Sequence, residues 1–380
     1  MTRSSFARCR SAALCLYAAL PLAGHAADPK PWPDPVSTPA ETMPLAARSL
    51  LLDALRVGDG YLVVGDRGHV LRSSDGRDWT QSADVPVRVL LTAATARGDS
   101  VWAVGHDGVI VHSADGGAHW TVQHRDTYED GAPATSDPRH GAPLLDVLFV
   151  DDRHGIAVGA YSRMLVTRDG GATWQPEALA AVPAGAGAEP DAGANAQAAT
   201  EPAADAAQDG HDGSMVFSKD ELALGEESDP HLNAIVRTGS GGLMILAERG
   251  SAFRSRDDGA TWQRIQLPYD GSMFGAIGYA GDRVLAFGLR GNVFETADLG
   301  QTWTRRDSAI EQGLMGGSAL DGEGAVLVGA NGAVLMRRSV DAPFEVMTQP
   351  GAGMLAGAVP LDGRRLLLVG ENGFSEVELP

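Results

Sequence analysis

The sequence predicts an all-β chain folded as a seven-bladed β-propeller with four-stranded antiparallel blades, the last blade closed by an N-terminal strand. Three observations lead there. One phrase recurs along the chain, its copies are spaced by 41 residues, and each copy breaks into short apolar runs separated by Gly/Asp turns.

Five copies of the phrase end in tryptophan. They are VVGDRGHVLRSSDGRDW at Trp79, AVGHDGVIVHSADGGAHW at Trp120, AVGAYSRMLVTRDGGATW at Trp174, ILAERGSAFRSRDDGATW at Trp262 and AFGLRGNVFETADLGQTW at Trp303. Two weaker copies follow, LVGANGAVLMRRSVDAPF at Phe344 and LVGENGFSEVELP after it. Gly250, Gly291, Gly332 and Gly373 are each 41 residues apart, as are Trp79 and Trp120, Trp262 and Trp303, and Trp303 and Phe344. A period of about 40–45 residues with strand-like content is that of a propeller blade. A single conventional core stops growing near about 250–300 residues, and radial repetition avoids that limit.

Blades are expected near residues 49–84, 85–125, 142–178, 230–268, 272–308, 314–349 and 352–380. Blade two shows the strand pattern best, with runs near 89–94, 100–105, 109–112 and 120–123 rich in Val, Ile, Leu and Trp. The seventh copy lacks the terminal aromatic and outermost strand of the others, which would leave an open edge. Residues 27–48 are read as a tail and closing strand, with residues 35–46 placed to complete that blade.

Residues 1–26 read as a secretory signal. Arg3, Arg8 and Arg10 precede an apolar run over residues 11–23, and Gly24 and Ala26 are the small residues a signal peptidase needs. The run is shorter than the roughly 20 residues of a spanning helix, so the chain is expected to be periplasmic or secreted and at most peripheral to a membrane. Both cysteines, Cys9 and Cys15, fall in this leader, leaving no thiol for disulfide, metal or redox chemistry.

Formal net charge is −19 and only two lysines occur, Lys30 and Lys219. Phosphate binding needs clustered positive charge, so nucleic acid is excluded as a partner. Residues 177–229 form an insertion rich in Ala, Gly, Pro, Asp and Glu, too poor in apolar surface to offset its ordering entropy. Most of it, residues 180–212, is expected to be disordered. Residues 214–227 are expected to hold a short helix, with Ser218 and Glu221 in capping-box spacing.

The repeated phrase contains Ser/Thr-x-Asp-x-Gly-x-x-Trp, intact at Asp115/Trp120, Asp169/Trp174, Asp257/Trp262 and Asp298/Trp303, and one residue shorter at Asp75/Trp79. The Asp can accept N–H bonds inside its own hairpin, Gly tolerates φ > 0, and Trp covers the turn. Catalysis would need one converging cluster, whereas copies 41 residues apart are spread around a ring. These residues are therefore read as structural staples.

This phrase is the Asp-box of bacterial neuraminidase repeats. With the V-G-x-x-G hairpins and seven copies, the chain resembles the photosystem II assembly/stability factor family. That resemblance implies an exported propeller assisting a membrane protein complex. Similar propellers in non-photosynthetic bacteria, some encoded beside efflux transporters, point to an integral-membrane client on the periplasmic side. The resemblance implies a non-enzymatic interaction scaffold or assembly factor, requiring no cofactor and expected to be a monomer.

An enzyme reading fares worse. The Phe/Tyr-Arg-Ile-Pro motif of sialidases is absent, since Arg48 is followed by Ser49. The mature chain would keep five tyrosines, at 61, 128, 161, 269 and 279. His106, His112, His119 and His124 cluster in sequence without metal-ligand spacing. No catalytic or metal residue is assigned. A sialidase-like hydrolase or lectin, and a surface sensor or adhesin contacting through the insertion, remain the alternatives.

A binding site, if present, belongs where propeller ligands meet the second-to-third-strand turns and the inter-blade loops. The repeat puts Arg67, Asp107, Tyr161, Arg249, Arg290, Asn331 and Glu371 at those turns. Arg88, Arg125 and the pair Arg305-Arg306 lie in inter-blade loops. The tips vary while their Gly frames repeat, as expected for a surface that recognises a polypeptide with acidic or polar groups.

Overall fold

In the computed structural model, residues 34–127, 137–179, 181–183 and 229–379 are described. The signal peptide and the helix expected near residue 220 lie outside them. Seven sheets form a ring of antiparallel meanders. Their inner strands are Leu51–Val57, Leu91–Arg97, Leu144–Phe149, Leu232–Arg237, Met273–Gly278, Leu314–Leu320 and Leu355–Asp362. Each inner strand packs on the next, and the last packs on the first. The chain is thus a closed seven-bladed propeller with almost no helix.

The second strand of each blade is flanked by sheet on both sides, so its apolar run is continuous rather than alternating. Leu62, Val63 and Val64 are buried to 0% exposure, as are Val326, Leu327 and Val328 five blades later. Seven core clusters result, and each spans the seam between two neighbouring blades. No blade buries its own faces.

The repeated turn closes each blade on the opposite face from the second-to-third-strand tips. In blade two, Ser113 Oγ donates to Asp115 Oδ1 at 2.8 Å and accepts from the Gly117 N–H at 2.8 Å. Asp115 Oδ1 also accepts from Ala118 and His119 N–H at 3.0 and 2.9 Å. Gly117 sits at φ +88°, and a Cβ there would lie 2.4 Å from Leu62 of blade one, so the turn needs glycine in order to dock across the seam. Thr167/Asp169, Ser255/Asp257 and Thr296/Asp298 repeat the pattern. Donors aimed at one carboxylate hold it ionised: the Thr173 N–H and hydroxyl, with Thr167, draw Asp169 down to about 2.

Blade six departs from this. Arg337 stands where the other turns have Ser or Thr, and it is 1% exposed. Its guanidinium crosses the seam to Glu295 of blade five, Nη1 to Oε2 at 3.1 Å, and lies 5.4 Å from the Phe344 ring. Arg306 Nε (2.7 Å) and Arg283 Nη1 (3.4 Å) meet the same carboxylate. A buried ion-pair network replaces the staple that the degenerate sixth copy has lost.

Among the described residues the expected closing strand is not formed. The seventh sheet has three strands among the described residues, Leu355–Asp362, Arg365–Gly370 and Gly373–Glu378. Residues 34–48 instead run as a strap over blades two, one and seven. Arg125 Nη1 donates to the Val36 carbonyl at 2.8 Å, Arg88 N to Pro35 O at 2.8 Å, and Ala40 N to Val85 O at 2.9 Å. Gln81 brackets the next residues, donating to Glu41 O and accepting from Met43 N, both at 2.9 Å. Val36 enters the seam core of blades one and two, and Ala46 enters that of blades seven and one. Pro35, Pro39 and Pro44 lack the N–H groups a ladder requires, so the segment bonds through isolated donors and side chains. A second correction concerns the insertion: Ala181–Pro183, read as disordered, is a strand added to blade four.

Polar ties also join the inner strands. Asp53 Oδ2 accepts from Ala94 N of blade two, and Asp146 Oδ2 from Ile235 N of blade four, each at 2.8 Å. Desolvation raises both acids, Asp53 to about 6 and Asp146 to about 7, against the lowering effect of these bonds. A raised acid binds its proton more tightly folded than unfolded. Its stabilisation is therefore complete below the unfolded pKa and lost as pH rises through 6 and 7.

Two outcomes follow. Val36→Asp should cost about 2 kcal/mol or more in urea unfolding, whereas a cost under about 0.5 kcal/mol would mean the strap is not part of the cooperative core. Wild-type stability should fall between about pH 4 and pH 7, by up to about 1.4 kcal/mol per pH unit for each acid, and level off above pH 7. In Asp146→Asn that slope should shrink; an unchanged slope in pH-dependent melts would exclude the seam carboxylate as its source.

Candidate functional site

The face opposite the repeated turns is built from four-residue tips between second and third strands, Gly-x-x-Gly in five blades, Gly159-x-x-Ser162 in blade three and Ala247-x-x-Gly250 in blade four. In five blades the third tip residue is a non-Asn residue held at positive φ: Arg67 at 52°, Asp107 at 56°, Arg249 at 56° and Arg290 at 56°, each before a Gly, and Tyr161 at 57°, before Ser162 at 52°. Asn331 takes the same place at 59°. The cause is crowding just beyond the tip. A Cβ on Gly68 would lie 2.2 Å from the Val87 carbonyl, and one on Gly250 2.0 Å from that of Tyr269. The inter-blade loops clamp each turn from outside. Left-handed backbone at a non-Gly residue costs about 1 kcal/mol or more, and Asn tolerates it best.

The blade-seven residue is one place out of register with the rest. Gly370-Glu371-Asn372-Gly373 aligns Asn372, not Glu371, with the other tips. Glu371 Oε2 accepts from Met354 N at 3.2 Å and Asn372 Nδ2 donates to Gly351 O at 3.0 Å, so both brace the neighbouring loop.

The tips are not drawn into one cluster; each meets its own inter-blade loop. Arg67 is exposed beside Asp66, 3.6 Å away. Asp107, next to the strap, has its carboxyl raised by desolvation, with Asp34 and Asp126 adding to the effect. Tyr161 lies with its ring edge-on to His231 at 5.0 Å, and its carbonyl accepts from Arg139 Nε at 3.1 Å. Arg88 and Arg125 are spent on the strap. The strap thus occupies this face over blades one and two and leaves blades three to six uncovered by it.

A concavity of about 430 Å3 on that uncovered arc is lined by Arg290, Arg305, Arg306, Asp307, Ser308 and Ile310. Arg306 is neutralised by Glu295, and Asp307 Oδ1 is engaged by Ala309 N at 2.9 Å. Arg290 and Arg305 have no carboxylate partner among the described residues. Leu289 is 39% exposed at the rim, with Tyr269 Oη donating to its carbonyl at 3.3 Å. Two unpaired guanidiniums beside an apolar rim can take a carboxylate bidentately while a side chain packs alongside.

Sequence reasoning missed the buried Arg163–Asp126 pair under the Asp107 tip, bidentate at 2.6 and 2.9 Å. It missed the Glu295 network as well, although Arg337 in the Ser/Thr position of the sixth copy was a visible signal. The sequence-clustered histidines scatter. His119 Nδ1 meets Asp115 Oδ2 at 2.6 Å, His124 Nδ1 meets Gly108 O at 2.8 Å, and His112 lies under the Trp102 ring at 4.8 Å. Among the described residues, no group of three His, Cys, Asp or Glu could hold a metal, and no helix is long and apolar enough to cross a membrane.

No family model and no curated protein matches the chain. Solved structures do match over nearly its whole length. YCF48 bound to D1 peptide is 14% identical with a TM-score of 0.60, covering 90% of this chain and 100% of that one. YCF48 from Cyanidioschyzon merolae is 15% identical with a TM-score of 0.57, covering 88% and 96%. The WD40 β-propeller domain of Doa1 is 11% identical with a TM-score of 0.57, covering 89% and 94%. At these identities the likeness is one of fold.

If the tips are strained in order to present side chains, relieving the strain should help folding. Arg290→Gly is expected to be neutral or to stabilise by up to about 1 kcal/mol in urea melts. A loss above about 1 kcal/mol would give Arg290 a role in holding the blade together.

Proposed function

We propose that the protein is an exported, non-enzymatic interaction scaffold. It would hold a polypeptide segment of an integral-membrane complex, such as an efflux transporter, on the periplasmic side during assembly or stabilisation. The observation that carries this reading is the tip face itself. Five blades place Arg, Asp or Tyr at a backbone position that favours Gly or Asn, and strain of this kind persists where a side chain is needed for contact. Arg290 and Arg305 would receive an acidic side chain or terminal carboxylate, with Leu289 and Tyr269 packing beside it. The YCF48 structure with a bound peptide supports a polypeptide as the class of ligand. The carboxylates of the repeated turns are engaged by their own hairpins, which leaves them poor candidates for acid/base chemistry.

Crosslinked capture from the host's membrane fraction, identified by mass spectrometry, tests this. Wild-type protein should recover one integral-membrane complex reproducibly. The Arg290→Ala/Arg305→Ala variant should recover about tenfold less, as expected for losing one charge-assisted contact, with unchanged melting. Equal capture by the variant would remove the pocket from the reading, and recovery of glycans alone would favour a sugar-binding propeller.

A further inference from the structure

The outer rim carries a feature independent of the tip face. Trp262–Gln266 in blade four is the longest of the fourth strands, five residues against two in Thr80–Gln81 and Gln175–Pro176 and four in Thr121–His124 and Glu345–Thr348. A long outer strand offers a row of unpaired N–H and C=O groups, which makes it a template for another strand. Among the described residues, this is the one fourth strand that carries an addition. Ala181–Pro183 pairs with it in parallel, Ala181 opposite Trp262, Val182 opposite Gln263 and Pro183 opposite Arg264.

The added strand is poorly suited to permanent pairing. It covers three of the five residues. It runs parallel, the less stable arrangement per residue, where the ladders inside blade four are antiparallel. Its last residue is a proline with no N–H to donate. The chain reaches it from the last strand of blade three, with Leu179 packed on the seam core of blades three and four. Along this path lies a groove of about 830 Å3, lined in part by Arg139, Leu179, Phe253 and Arg264. Arg264 is the only charged residue on the edge strand.

We propose that the outer edge of blade four is a docking site for an extended, neutral-to-acidic polypeptide strand, and that Ala181–Pro183 occupies it in cis as an exchangeable placeholder. A partner strand without proline can pair with all five edge residues and place an acid against Arg264, so it displaces a three-residue parallel strand. A second copy of the chain fits worse, because antiparallel self-pairing would bring two Arg264 side chains together.

The probe is a fluorescent synthetic peptide, EALAAVP, carrying the sequence of residues 177–183. It is added to the mature full-length chain, to Val182→Pro, and to a chain with residues 177–183 replaced by a Gly/Ser linker. Anisotropy should show both variants binding the peptide about tenfold or more tightly than wild type, because the tethered strand competes at high effective concentration. Folded variants that bind it no better than wild type would overturn the proposal. Variants that dimerise without taking up peptide would also overturn it, reducing the arm to a guard against self-pairing. Hydrogen exchange on the intact chain decides even if both variants unfold. The outward amides of Trp262–Gln266 should exchange far faster than those of Ser251–Ser255, and equal protection would mean a fixed strand and no exchangeable site.

Discussion

The structure depends on the seam between blades. A four-stranded twisted sheet cannot bury both of its own faces, so the apolar side chains of a second strand find partners on the two neighbouring blades, Leu62 and Val64 toward blade two and Tyr61 and Val63 toward blade seven. This makes ring closure the condition for each blade's stability, since an open ring would expose two faces at once. It also explains why the repeated turn docks outward onto the preceding blade. Gly117 against Leu62 and Gly300 against Ile265 are contacts across seams, and the Ser/Thr–Asp bonds fix the turn in the shape that makes them.

Where the repeat weakens, the seams are held by other chemistry. Blade six lost its Ser/Thr and its tryptophan, and Arg337 with Glu295 took over between blades five and six. A buried ion pair is tolerable there because three guanidiniums meet the one carboxylate and the Phe344 ring faces the Arg337 guanidinium. Between blades seven and one, Tyr61 Oη donates to Leu361 O at 2.5 Å, Trp79 meets Phe374 at 5.1 Å, and the strap adds Ala46. The junction of first and last blades is thus closed by packing and a strap instead of a shared sheet.

A ring held in this way leaves its tips free to vary. The tip frames and inter-blade loops fix the backbone of each tip. That separation of scaffold from surface is what an interaction protein needs. The strap shapes the surface further by occupying blades one and two, so Arg88 and Arg125, exposed loop arginines by sequence, serve structure, and the open arc runs over blades three to six.

Much of this was legible in one dimension. The 41-residue period, the turn residues and the unbroken apolar runs are local signals, and each directly encodes a strand or hairpin; hence the blade count and the positions of Arg67 through Asn331 at the tips. At the seventh tip, Glu371-Asn372, the sequence reading singled out Glu371, whereas Asn372 is the residue that aligns with the other tips. The path of residues 34–48, the seam acids Asp53 and Asp146, the Glu295 network and the strand at Ala181–Pro183 were not legible. Their partners lie on other blades, dozens to hundreds of residues away in sequence, and become neighbours only when the ring closes. The sequence by itself determined the blade, because a blade's hydrogen bonds are between near neighbours. Only the tertiary structure decided what crosses the seams, because those contacts are set by how seven similar units meet around one axis.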